Sequence, residues 1–264
     1  MSTSARVVTG SKTEDSRRQR LWEVDALRGV AIVMMVIYHL MWDLWFFQVL
    51  PDVDLVHGFW KYFQRTTASL FIILVGVSLT LSYRAAQRHG VAGSQLFLKF
   101  LRRGLRIFAL GMVITVAVSA TGVGYVHFGV LHLIGFSIAA AYPFLTLRWA
   151  NLGLWLAFTA AGYALQPIRV DFPWLAWLGI EPAFYAPVDY FPVIPWFGVV
   201  LLGVFLGNTL YGAQGRRFPL PDLSGWLAVR GLDFMGRHSL VIYLVHQPVL
   251  LAILALTGVI SLSR

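Results

Sequence analysis

Apolar residues in this chain neither alternate with polar ones at a period of two nor stripe one face of otherwise polar helices. They run in blocks of about 20 residues, the length a helix needs to cross roughly 30 Å of hydrocarbon. Blocks near 26–47, 66–84, 104–122, 126–147, 149–166, 191–211 and 238–259 predict about seven membrane spans. The fold class expected is all-α, a polytopic transmembrane helical bundle. The first 20 residues are polar and basic with no apolar core, so 1–20 read as a disordered cytosolic tail and 21–264 as a single domain.

Composition agrees, with 58% hydrophobic and 12% charged residues, where a soluble domain carries about a quarter charged. An odd number of spans puts the termini on opposite sides. With the N-terminus in the cytosol, only Lys61, Arg65, Arg169 and Arg264 of the 21 basic residues fall outside. Topology and anionic lipid headgroups then account for the net charge of +9, and no nucleic-acid partner is needed. The expected location is a bacterial cytoplasmic (inner) membrane. The absence of cysteine excludes disulfides, thiolate metal sites and a cysteine nucleophile, and no metal is expected.

The first block, EVDALRGVAIVMMVIYHLMWDLWFF (23–47), carries Arg28, His39 and Asp43 in an otherwise apolar helix. At 100° per residue Arg28 and His39 lie within roughly 20° of each other and about 16 Å apart along the axis; with Asp25 and Asp43 they fit an arc of roughly 60°. Ionisable groups at membrane depth cost on the order of 3 kcal/mol each and persist where they face a polar cavity or a partner. A carboxylate one turn from an imidazole can orient it as a base, so His39 and Asp43 are candidate catalytic residues. The alternative is a buried structural pair, with Arg28 a snorkelling anchor.

Four other groups carry candidate chemistry. Lys99, Arg102, Arg103 and Arg106, at i, i+3, i+4 and i+7, form one basic face that suits either a polyanionic nucleotide or anionic lipid. No glycine-rich phosphate loop accompanies it. In the last span His246 and Gln247 precede Pro248, which cannot continue the hydrogen-bond ladder; His246 is a candidate for the carrier passage or a helix-packing residue. The segment from Pro167 to Pro195, with Trp196 directly after it, mixes Asp189 and other carboxylates with aromatic rings, a composition that suits a sugar face or an interfacial aromatic belt. His132 sits near the outer end of the fourth span.

LRGVAIVMMVIYHL, with its Arg, ten residues and a His, resembles the signature of transmembrane acyltransferases that modify sugars. Together with LFIILVGVSLTLS, FGVLHLIGFS, DYFPVIPWFGVVLLG and GRHSLVIYLVHQPVL, taken in order over residues 22–258, the chain resembles the heparan-α-glucosaminide N-acetyltransferase catalytic-domain family. The resemblance implies transfer of an acetyl or short acyl group from cytosolic acetyl-CoA to a saccharide or amino-sugar acceptor across the membrane, with His39 as the catalytic residue. In that frame Arg28, Lys99, Arg102, Arg103, Arg106 and His246 are candidates for the carrier, and Asp189, Trp196 and His132 for the acceptor. A proton-coupled transporter and a non-catalytic assembly protein, alone or as a homo-oligomer, stay open from the residues alone.

Overall fold

The computed structural model describes residues 21–122, 124–212 and 215–261; the tail expected over 1–20 lies outside them. Eight α-helices are described: α1 Trp22–Phe46, α2 Gly58–Arg88, α3 Gly93–Thr121, α4 Val130–Ala140, α5 Trp149–Leu165, α6 Val193–Leu210, α7 Leu227–Arg237 and α8 Ser239–Leu256. Six short strands join them: β1 Val126–Phe128, β2 Arg169–Val170, β3 Glu181–Pro182, β4 Asp189–Tyr190, β5 Tyr211–Gly212 and β6 Gly215–Arg216. The mostly helical class follows from the long apolar blocks. Five helices, α1, α2, α3, α6 and α8, are long and apolar enough to cross a membrane by length and composition. The predicted blocks 126–147 and 149–166 correspond to shorter helices, α4 of 11 residues and α5 of 17. A 3₁₀ turn at Tyr142–Phe144, with Pro143 inside it, follows α4.

The described residues divide into two compact units, 21–64 with 220–261, and 65–219. In the first, α1 packs against both α7 and α8. Its contact with α7 is backbone on backbone. A Cβ on Gly29 would stand 2.1 Å from the Leu232 carbonyl oxygen, and one on Gly236 would stand 1.7 Å from that of Asp25. Glycine at both positions is what lets the helices approach this closely.

In the second unit α3 packs on α4 and α5 on α6. Gly76 of α2 and Gly203 of α6 allow another close approach, since a Cβ on either would meet the facing backbone at 2.1 or 2.2 Å. The buried core includes Ile72, Leu79, Leu133, Val200, Leu201 and Val204. Strands β1 and β4 pair in parallel, Val126 with Asp189 and Phe128 with Tyr190. Strands β2 and β3 also pair in parallel, while β5 and β6 form an antiparallel hairpin at the end of α6.

Candidate active site

Side chains on a helix lean toward its N-terminus, and His39 does so: its Nδ1 is 2.9 Å from the Met35 carbonyl oxygen. A carbonyl can only accept, so Nδ1 carries the hydrogen and the neutral ring keeps its lone pair on Nε2. The expected bond from Asp43 to His39 is not formed, because the ring is turned the other way along the helix. Asp43 is 3% exposed, and its Oδ1 accepts from Gln247 Nε2 on α8 at 2.5 Å.

Next to Gln247, His246 repeats the His39 arrangement. Its Nδ1 donates to the Tyr243 carbonyl at 2.7 Å, which again leaves the lone pair on Nε2. The two imidazoles meet edge to face, with ring centroids 4.6 Å apart and planes at 84°. Asp43 Oδ2, His246 Nε2 and Gln247 Oε1 are buried without a hydrogen-bond partner. The first unit therefore gathers two imidazoles, a carboxylate and a carboxamide from α1 and α8, with acceptor atoms left over.

Arg28 lies toward the other end of α1. It donates to Asp25 at 2.7 Å and to the Gly236 carbonyl at 3.3 Å. Arg237 bridges Asp233 on its own helix and approaches Asp25 at 3.9 Å. This ion-pair network fixes α7 on α1, and α7 itself was not among the predicted blocks. Its signal was present as Asp233 and Arg237 at i and i+4 on a short amphipathic stretch.

In the second unit His132 and Asp189 come together at the start of α4. His132 is 2% exposed; its Nδ1 accepts from the Gly129 N–H at 3.2 Å and its Nε2 lies 3.4 Å from Met112 Sδ. Asp189 Oδ2 accepts from the Val130 N–H at 3.2 Å. Both side chains satisfy N–H groups that the helix start leaves unpaired. Trp196, at the start of α6, packs against Phe191 with centroids 4.9 Å apart and planes tilted by 59°.

Nearby, a cavity of about 490 Å³ opens between Tyr125–His127 and Pro182–Tyr185. Asp189, Trp196 and His132 do not line it. Burial holds the Tyr185 and Tyr190 hydroxyls above the usual phenol range, and Tyr190 donates to the Ala176 carbonyl at 2.7 Å.

Lys99, Arg102, Arg103 and Arg106 are all exposed on α3. They are centred roughly 115° around the helix from the packed face of Leu96, Phe100, Gly104 and Gly111. Among the described residues no group of three or more His, Asp or Glu is placed to hold a metal ion.

Compared with known families, residues 20–248 match the profile of the family described as heparan-alpha-glucosaminide N-acetyltransferase, catalytic. No curated protein and no solved structure matches the chain.

Proposed function

The chain belongs to the heparan-α-glucosaminide N-acetyltransferase catalytic family, and from that premise we propose that it is a membrane acyltransferase using acyl-CoA as donor. The acceptor class proposed is a saccharide or amino sugar, on the membrane face opposite a cytosolic N-terminus. One observation carries the assignment of the base: His39 holds its hydrogen on Nδ1 against the Met35 carbonyl, so the nitrogen pointing away from the helix backbone is the one able to take a proton.

In the proposed step the acceptor's amine or hydroxyl attacks the thioester carbonyl while its proton moves to His39 Nε2. A C–N or C–O bond forms, the C–S bond breaks, and the imidazolium returns the proton to the departing thiolate. Asp43 acts by anchoring Gln247, and so by holding His246 against the His39 ring. Arg28 in the first unit and, separately, the basic face of α3 in the second are each candidates for the carrier's anionic end, where guanidinium groups suit phosphate.

Purified protein supplied with acetyl-CoA and glucosamine should release free thiol in step with acetylated product. His39→Ala should lower turnover by about 10²–10⁴-fold without lowering the melting temperature. A second variant, His39→Asn, separates chemistry from packing. Retained turnover in both variants overturns the assignment, and so does substrate movement in proteoliposomes with no thioester cleaved.

A further inference from the structure

Three guanidinium groups converge on the C-terminal end of α6. Arg84, from α2, donates to the Tyr211 carbonyl and to Asn208 Oδ1, the latter at 2.6 Å. Arg148, from the connection before α5, donates to Thr209 Oγ1 at 3.0 Å. Arg217, after β6, lies over Gly212, whose added Cβ would stand 2.9 Å from its Nε, and its backbone N–H donates to the Leu210 carbonyl at 2.8 Å.

The framework beneath is tied together by amide side chains. Asn208 is buried and donates to the Leu145 and Leu147 carbonyls at 3.0 and 2.8 Å. Asn151 donates to the Phe144 and Leu147 carbonyls at 2.9 and 2.6 Å.

None of these contacts is to a carboxylate. Residues 65–219 contain three acidic side chains, Asp171, Glu181 and Asp189. Asp189 precedes α6, and that helix of 18 residues separates it from the arginines by roughly 27 Å. The bland account is that the arginines cap the carbonyls at the end of α6. A helix terminus supplies only about half a negative charge, so three guanidinium groups, Arg84 half-buried and Arg148 and Arg217 exposed, give that end an excess of positive charge. Gathering like charges at one helix end is unfavourable, and an anion that joins them relieves the repulsion.

We infer that Arg84, Arg148 and Arg217 form a phosphate-binding site on the rim of α6. Guanidinium forks match phosphate oxygens in pairs, and Arg84 is held in advance by Asn208 and the Tyr211 carbonyl. Two sources share this chemistry, the nucleotide phosphates of the acyl carrier and the phosphodiester of an anionic lipid. Assignment to the carrier rests on the acyltransferase reading, whereas the phosphate site itself does not.

The test uses the full chain in neutral detergent, titrated calorimetrically with coenzyme A and with pantetheine, which lacks the nucleotide. Retained phosphatidylglycerol is measured in parallel by native mass spectrometry. Arg84 is left intact because it ties α2 to α6; Arg148→Gln and Arg217→Gln are the variants. Each should weaken coenzyme A by about tenfold, the loss expected for one charge-assisted phosphate contact, and leave pantetheine unchanged.

Unchanged coenzyme A affinity, with phosphatidylglycerol retained by the wild type and lost in the variants, assigns the site to lipid. Unchanged affinity with no lipid difference overturns the site. His39→Ala, which should bind coenzyme A while losing turnover, separates this result from failure of the acyltransferase reading.

Discussion

Replacing Gly236 with alanine probes how α7 is held on α1. The new Cβ would lie 1.7 Å from the Asp25 carbonyl oxygen, whereas ordinary contact begins at 3.4 Å. The obstacle is the backbone of another helix, so no side-chain rotation relieves it and the helices must part. Overpacking of this kind costs about 1–3 kcal/mol, and parting also loosens the Arg28 bond to the Gly236 carbonyl, worth roughly 1 kcal/mol. Against this, alanine gains about 1 kcal/mol of helix propensity over glycine.

The net loss is about 2 kcal/mol, or some 4–8 °C in Tm for a chain of this size. Gly231→Ala supplies the control on the same helix. Gly231 is exposed with nothing within 4 Å of its added Cβ, so it keeps the propensity gain and should melt at or slightly above the wild type. Tryptophan fluorescence follows both melts in detergent, since the chain has 10 tryptophans. A Gly236→Ala protein that melts with or above the wild type refutes this packing.

Gln247→Leu removes the donor to Asp43 Oδ1 and leaves a second buried carboxylate oxygen unpaired. Stability should fall by about 1–3 kcal/mol, and Asp43→Asn combined with Gln247→Leu should recover part of the loss, as read by a double-mutant cycle of melting temperatures. A smaller effect is expected on the acid side from Asp54. Its carboxylate accepts the His57 and Val56 N–H groups, and the first of these holds it below the usual carboxylate range. A depressed folded value contributes stability that is present above the unfolded value and lost as pH falls through the folded one. Asp54→Asn should therefore flatten the melting profile between about pH 5 and pH 2; a profile that stays parallel to the wild type refutes the assignment.

What the chain reveals before folding is mainly burial in hydrocarbon. The blocks around 26–47, 191–211 and 238–259 became α1, α6 and α8 with small shifts of their ends, because a long apolar run has few alternatives to a spanning helix. The block at 104–122 missed the first turns of α3, which begins at Gly93, since the basic stretch lowers hydropathy without interrupting the helix. Helix α7 escaped because its 11 residues are amphipathic and it is recruited by two glycines and an ion-pair network, features that register only once α1 is beside it. Likewise the two-residue strands depend on partners elsewhere in the chain: β1 pairs with β4 across some 60 residues of sequence.

The candidate site shows the same division between local and distant information. Spacing along one helix put Arg28, His39 and Asp43 on a common face, and it did so without coordinates. It could not show that Asp43 would reach a side chain 204 residues away, or that a second imidazole would stand against the first. A histidine kept only for packing gains by using both ring nitrogens, since an unpaired nitrogen inside an apolar bundle is unfavourable. His246 is 9% exposed, yet it spends one nitrogen on its own backbone and leaves the other without a partner. The same holds for Asp43 Oδ2 and Gln247 Oε1 beside it. Three adjacent side chains on two helices thus each keep an acceptor atom unspent, a concentration of polar groups that arises only where α1 meets α8 and that spacing along one helix could not foretell.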